Sequence, residues 1–474
     1  MRSIDIAVVG SGMGGAMIAA LQDSANVVVF EKDYNVGGCA STFCKKGHFY
    51  NAGATTFVGY EAHHPIKALF ERIDFVPDIK PSPIAIRIVQ GNKIVDRVQD
   101  FEAFLEGLSL HYPHPNNRLF WHKIKTIDQT FWQLQHLHYE KYSLKGYLKS
   151  AKFLVELLVR LGGDLFQSAS SFIQKHLPHI SPEYLAFIDA QLLITVQSTS
   201  AKVSLLSMAL GLSYPFHEVY YANGGMGKII EGILQNVEVK THEAIQSIKP
   251  HDGGYLLHTS KGSYCAKNII LNSTVYDSAK LFDDLAIQNY YNQYRLSDQS
   301  AFTLYLHIES KEEFLHHYQI IVQEPIPHCL SQSFFVSFSD SQDTQLSQGG
   351  YSVTLSTHTQ ALFWQNLTQE EYRIQKTLTQ EYIMQKFLEH FDTISPTDIT
   401  QCFSATSTTF KRYIGRLNCG GKAITIKNML TLPTPNTPFK GLYHVGDTLF
   451  GGQGWPGVAL GVKVLDAILK DTKQ

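Results

Sequence analysis

The sequence predicts an α/β protein whose first part is built on a buried parallel sheet. Residues 4–9 are mainly apolar and form a short strand, which Gly10 ends. The small and apolar residues 16–21 favour a helix, and residues 27–30 form a second apolar strand that ends at Glu31. Together they make a β-turn-α-β unit within about 30 residues, the usual building block of a parallel sheet with helices on its faces.

Composition indicates a large folded core and excludes several classes of protein. The 474 residues suffice for about three average domains, and 44% of them are hydrophobic. A net charge of −2 gives no basic field for nucleic acid, so we expect no nucleic-acid partner. Cys39 and Cys44 lie close in sequence, but no cysteine pair has C-x-x-C spacing and the 21 histidines are scattered. We therefore predict reduced thiols, a cytoplasmic location and no metal site.

The string GSGMGG at residues 10–15 has the spacing of a dinucleotide-binding turn. Gly10 permits the tight turn, Gly12 lets a diphosphate approach the backbone, and Gly15 brings helix and strand together. Glu31 ends the second strand, where a carboxylate accepts a hydrogen bond from a ribose 2′-OH and disfavours a 2′-phosphate. The motif therefore predicts FAD or NAD rather than NADP. A purely structural glycine turn would leave Glu31 unexplained.

A second G-x-G-x-x-G match is formed by Gly452, Gly454 and Gly457. Only seventeen residues follow Gly457, too few for another β-α-β unit with its acidic residue. We therefore predict a turn and helix N-terminus directed at the same cofactor. This interpretation argues against a reductase with separate FAD and NAD(P) domains.

Three parts of the chain carry a set of further motifs. These motifs are GSGMGG at 10–15, VGGCASTF at 36–43, GATTF at 53–57, YANGGMG at 221–227, and GLYHVGD at 441–447 continued by GGQGWPG at 451–457. Together they resemble the phytoene desaturase and carotenoid isomerase group of the FAD-dependent amine oxidase superfamily. The stretch FKRYIGR at 410–416 is also similar to that group. The resemblance implies FAD as the cofactor and residues from both ends of the chain around it.

The resemblance also assigns parts of the cofactor site. Gly37 and Gly38 would lie near the diphosphate, Asp447 near the ribityl chain or diphosphate, and the backbone of Ile245 near the adenine. The full set of predicted cofactor-binding residues is Gly10, Gly12, Met13, Gly14, Gly15, Glu31, Lys32, Gly37, Gly38, Ala54, Thr55, Thr56, Ile245, Gly446, Asp447, Gly454, Trp455, Pro456 and Val458.

The predicted architecture is a Rossmann-like FAD-binding domain with a discontinuous α+β substrate domain. Three segments, 1–78, 215–275 and 436–474, would form the FAD-binding domain. Residues 79–214 would supply a helical part of the substrate domain, including helices at 101–108, 121–137 and 144–161. Residues 276–435 would supply a mixed sheet, because short stretches there alternate apolar and polar residues.

The leading functional hypothesis is hydride transfer between an apolar polyene or isoprenoid substrate and flavin N5. The protein would mainly position the reacting carbon, so no catalytic residue is assigned. Phe57 and Trp455 either wall the flavin pocket or belong to the core. Two alternatives stay open: an FAD-dependent amine oxidase, and a non-catalytic prenyl or lipid carrier of the same fold. The sequence does not identify the final electron acceptor.

The stretch 144–161 has two interpretations. Its apolar face can pack within its own domain, or it can rest on a membrane or line an apolar tunnel. Peripheral membrane contact is therefore an expectation. No stretch offers about 18 uninterrupted apolar residues, so we predict no transmembrane helix.

Overall fold

A computed structural model describes residues 2–22 and 25–473 and contains two seven-stranded sheets and two smaller ones. The strands are β1 (Arg2–Val9), β2 (Val27–Phe30), β3 (Thr42–Lys45), β4 (His48–Asn51), β5 (Phe57–Val58), β6 (Ile79–Pro81), β7 (Ile84–Gln90), β8 (Lys93–Val98), β9 (Val219–Ala222), β10 (Glu238–Lys240), β11 (Ile245–His251), β12 (Gly254–Thr259), β13 (Ser263–Leu271), β14 (Ser300–Ile308), β15 (His317–Ile321), β16 (Ser333–Phe338), β17 (Tyr351–Thr359), β18 (Ile399–Ala405) and β19 (Leu442–His444).

The helices lie mainly in the stretches between these strands. They are α1 (Met13–Ala20), α2 (Pro65–Arg72), α3 (Phe101–His111), α4 (Asn117–Trp132), α5 (Leu144–Leu161), α6 (Ala169–His176), α7 (Pro182–Val196), α8 (Leu205–Ser213), α9 (Met226–Ile233), α10 (Leu285–Asn292), α11 (Ala361–Gln365), α12 (Gln369–His390), α13 (Ser407–Tyr413) and α14 (Gly454–Lys473).

The first large sheet contains the predicted β-α-β unit. Its strand order is β10-β2-β1-β13-β12-β11, and β19 also pairs with β13. β1 lies parallel to β2 and β13, with Val9 opposite Phe30 and Leu271. Val8 and Val28 are fully buried, as expected for a parallel sheet covered on both faces. The α/β class with a Rossmann-like sheet is thereby confirmed.

The second large sheet has the order β18-β14-β17-β16-β15-β7-β8 and is antiparallel except where β7 pairs with β15. Apolar side chains on one face pack against α12 through Ile383 and Phe387, both of which are fully buried. This sheet takes strands from 84–98 and from 300–405. The predicted boundaries between the segments of the FAD-binding and substrate domains stay a prediction.

Two local predictions were wrong. Residues 84–98 lie in a segment predicted to be helical, but they form the β7–β8 hairpin around the two-residue turn Gly91-Asn92. The helix predicted over 121–137 ends at Trp132, because the Glu156 carboxylate accepts hydrogen bonds from the N–H groups of residues 135 and 136 and holds that backbone in a turn.

A small three-stranded sheet, β5-β9-β6, joins distant segments beside the first large sheet. β5 and β9 are antiparallel, with Phe57 opposite Tyr220 and Val58 opposite Val219. The loop that follows β5 therefore lies next to the residues that precede β9.

Candidate cofactor and substrate site

The glycine turn meets the start of α1 as its motif predicts. Gly12 occupies the N-cap position without a side-chain cap, so the first N–H groups of α1 can bind an anion. A Cβ on Gly15 would lie 2.2 Å from the carbonyl oxygen of Gly10, so only glycine allows α1 this close to β1. Met13 and Gly14 form the first turn of the helix.

Glu31 organises the loops around this turn. It is 7% exposed, and its Oε2 accepts hydrogen bonds from the N–H and the hydroxyl of Ser11, at 2.9 and 2.6 Å. The Ser11 hydroxyl in turn accepts a hydrogen bond from the N–H of Gly37 at 3.1 Å. A carboxylate has about four acceptor positions, so Glu31 retains capacity for a ribose hydroxyl while it holds both predicted diphosphate loops together.

The predicted adenine side of the site lies at the edge of the same sheet. The backbone N–H of Glu31 donates to Lys240, and the N–H of Glu243 donates back to the carbonyl of Glu31, both at 2.9 Å. Ile245 begins β11 two residues later. The ammonium group of Lys32 donates to the carbonyl of Arg412 at 3.0 Å.

The C-terminal part of the site contacts the N-terminal glycine turn directly. A Cβ on Gly14 would lie 3.1 Å from both the backbone nitrogen of Gly446 and the Cβ of Val445. The neighbouring Asp447 accepts hydrogen bonds from Arg416 at 3.0 and 3.1 Å. Gly14 thus contacts residues 445–446, directly before Asp447, as a shared cofactor requires.

Two residues of this region were not in the predicted set. The Asn272 side chain follows β13 and lies against the turn, because a Cβ on Gly12 would come within 2.6 Å of its amide nitrogen. Its position at the carboxyl end of a strand was a usable signal once β13 was known to pair with β1. Arg416 lies in the stretch that resembles the family, but its pairing with Asp447 spans 31 residues and has no local signal.

The segment 53–57 lies between this turn and the second large sheet. The N–H of Ala54 donates to the carbonyl of Cys39 at 2.9 Å, and Thr55 is buried. The hydroxyl of Thr56 is 3.1 Å from Nε2 of His317. Burial lowers the pKa of His317 to about 3, so this imidazole stays neutral in the physiological range.

Cys39 and Cys44 remain free thiols, as predicted. Burial raises the pKa of the Cys39 thiol to about 12, so it stays protonated near neutral pH and is a poor nucleophile.

An apolar cavity of about 480 Å³ adjoins the predicted cofactor-binding residues Thr56, Gly454 and Pro456. Its wall includes Thr56 and the turn at 451–454, where α14 begins. The apolar part of the wall comes from α5, α8 and the C-terminal loops, with Phe153, Leu154, Leu157, Leu158, Leu206, Leu210, Met429, Leu430 and Phe450. One end is polar, with His64, Asp128 and His217. This volume and lining are typical of a pocket for an apolar small molecule.

Phe57 and Trp455 are not among the residues that line this cavity. Both are almost fully buried, and their rings pack edge to face with centroids 4.8 Å apart. Both rings therefore pack in the core, and a contact of either ring with the flavin stays a prediction. Pro456 does line the cavity, and Val458 is buried in the core behind it.

Comparisons with known proteins agree with this geometry. Residues 8–73 match the family model described as NAD(P)-binding Rossmann-like domain. Prolycopene isomerase of Daucus carota is 24% identical over 97% of this chain and 78% of its own length. Carotenoid 3,4-desaturase of Haloarcula japonica is 22% identical over 67% of this chain and 66% of its own. Cyclohexylamine oxidase from Brevibacterium oxydans has a similar fold, with a TM-score of 0.61, 14% identity and complete coverage of both chains.

The fold and the glycine turn are those of oxidoreductases with a Rossmann-like domain, which implies a flavin or nucleotide cofactor. Within that class, the chain is related to the phytoene desaturase and carotenoid isomerase-like proteins of the amine oxidase superfamily, as its motifs predict. Among the helices that the structure describes, none is both long and apolar enough to cross a bilayer.

Proposed function

We propose that the chain binds FAD and transfers hydride between an apolar polyene or isoprenoid substrate and flavin N5. The apolar cavity carries this proposal, because its wall includes Thr56 and Gly454, which belong to the predicted cofactor-binding set. Two sequence relatives, a prolycopene isomerase and a carotenoid 3,4-desaturase, support the polyene class.

The residues present fit FAD. The uncapped start of α1 offers N–H groups to the diphosphate, Glu31 has acceptor capacity for a ribose hydroxyl, and Asp447 lies beside the turn where a ribityl or diphosphate group would bind. When bound, the flavin supplies a hydride acceptor or donor at N5. The leucines of α5 and α8 exclude water and hold the apolar chain, so the protein contributes mainly position.

We also propose that α5 contacts the membrane from which an apolar substrate enters. One face of α5 lines the cavity with Leu154 and Leu157, while Leu148 and Val159 of the same helix are exposed. Flotation with liposomes tests this. Replacing Leu148 and Val159 with Glu should weaken binding, whereas Glu at Leu110, which lies on α3 and is as exposed as Val159, should not. Equal flotation of all variants would remove the proposal.

A flavin spectrum and a substrate comparison test the central proposal. The purified protein should show flavin absorption. In the absence of oxygen, a polyene should either reduce the flavin, which bleaches this absorption, or be isomerised by the protein with reduced flavin. Absence of flavin, even after FAD is added, would favour the lipid-carrier alternative. Reduction by amines but not by polyenes would favour the amine oxidase alternative. Mass spectrometry of co-purified lipid identifies the substrate class independently.

A further inference from the structure

Four potential metal ligands converge at the polar end of the cavity. Their side chains are Glu61, His63, His64 and His217, with one ligand atom from each within 4.8 Å of all the others. The pairing of β5 with β9 explains how they meet, because residues 61–64 follow β5 and His217 precedes β9. The prediction that the histidines are scattered was therefore wrong for these three.

The three imidazoles surround one carboxylate oxygen. Glu61 Oε2 lies 3.0 Å from Nδ1 of His217, 3.2 Å from Nδ1 of His64 and 3.5 Å from Nε2 of His63. Zinc–nitrogen bonds of about 2.0–2.1 Å place the ligand atoms of a tetrahedral site about 3.3 Å apart. The observed separations from the carboxylate oxygen are therefore those between ligands that share one cation.

Hydrogen bonding satisfies this cluster only in part. Among the described residues, Oε2 of Glu61 and Nδ1 of His64 are buried polar atoms without a hydrogen-bond partner, although they lie close to each other. Buried polar atoms are normally satisfied, so two such atoms 3.2 Å apart leave room for a shared ligand. The other carboxylate oxygen of Glu61 is fixed by the N–H of Glu218 at 3.0 Å, which orients Oε2 toward the histidines.

A second layer supports His217 as a ligand. Its Nε2 is 2.6 Å from the carboxylate of Asp128, which is 2% exposed on α4. Metal-bound histidines usually donate their other ring N–H to a carboxylate, which fixes the ring and strengthens the nitrogen ligand. The Asp128–His217–Glu61 line has this form.

We propose that Glu61, His63, His64 and His217 bind a divalent transition cation of the zinc type. Imidazole and carboxylate ligands suit such a cation, and four protein ligands make a closed, structural site. The cation would tie the loop before α2 to the start of β9. It would thereby fix His64 and His217 in the cavity wall.

Zinc binding to the full-length, flavin-loaded protein tests this proposal. After treatment with a chelator, the protein should bind one Zn²⁺ per chain and its unfolding temperature should rise on addition of Zn²⁺. Cobalt should give the intense visible bands of tetrahedral coordination at wavelengths beyond the flavin absorption. No thermal shift, or the weak bands of octahedral cobalt, would overturn the proposal.

Variants locate the site. His63→Ala should abolish stoichiometric binding without harm to the fold, since His63 is the most exposed ligand, and Glu61→Gln tests the carboxylate without changing its shape. Asp128→Asn should weaken zinc affinity about 10- to 100-fold. His122→Ala, an exposed histidine on the same helix as Asp128, is the matched control and should bind as the parent does. Unchanged binding in both ligand variants would show that any zinc lies elsewhere and would refute the site.

Discussion

Replacing Gly15 with Ala tests how the glycine turn builds the cofactor site. The new methyl carbon would lie 2.2 Å from the Gly10 carbonyl oxygen and 3.2 Å from Cβ of Asn272. Ordinary contact begins at 3.4 Å, so α1 must move away from β1 by about 1 Å. Both obstacles are close to the backbone and cannot rotate aside.

That movement displaces the N–H groups from which the diphosphate would accept hydrogen bonds. A hydrogen bond to a charged group contributes about 1.5–3 kcal/mol, so the loss of one such bond lowers FAD affinity about 10- to 100-fold. Overpacking should also lower the free energy of unfolding of the apoprotein by about 1–3 kcal/mol.

Titration of the apoprotein with FAD, followed by quenching of flavin fluorescence, measures the first effect, and urea unfolding measures the second. Gly107→Ala on α3 is the control, because a Cβ there meets nothing within 4 Å. It should stabilise the protein by up to about 1 kcal/mol and leave FAD affinity unchanged. If Gly15→Ala lowers stability but binds FAD as tightly as the parent, this turn only packs the helix, and its assignment to the diphosphate is wrong.

Three other variants or treatments examine separate parts of the molecule. Leu210→Trp fills the cavity and should lower kcat/KM for a polyene about 10- to 100-fold with FAD content unchanged, whereas Trp at the exposed Leu110 should alter neither. Burial opposes ionisation of Asp466, but hydrogen bonds from Arg72 and a neighbouring lysine outweigh it and lower its pKa. Asp466→Asn should therefore lower the free energy of unfolding by about 1–3 kcal/mol near neutral pH. Urea unfolding should show that this difference vanishes as the pH falls through the lowered pKa of Asp466. Peptide mapping after alkylation near neutral pH should find Cys39 unmodified, because its thiol stays protonated.

The parts of the site that sequence predicts well are those with local signals. The turn at 10–15, the carboxylate of Glu31 and the first two strands fall within about 30 residues, where spacing alone determines which atoms can meet. The β7–β8 hairpin also has a local signal, the turn Gly91-Asn92 between β-branched stretches. That signal was missed because the helical pattern of the residues after the hairpin was extended back over it.

The remaining parts depend on pairings between distant segments. Asn272 meets the glycine turn only because β13 lies beside β1, and Arg416 meets Asp447 across a long loop. His217 joins residues 61–64 because β5 pairs with β9, more than 150 residues later. Periodicity within one stretch does not reveal such a pairing, so these residues could not be assigned to their sites from the sequence.

The place of β19 in the first large sheet has a consequence for how the protein matures. Residues 442–444 pair with 269–271 of β13, and Val445 and Gly446 then reach the opening turn. During synthesis the earlier segments leave the ribosome first, so this edge of β13 stays unpaired until residues 442–444 have emerged. Nascent chains that stop before residue 442 should therefore retain no flavin and should depend on chaperones to shield the open edge.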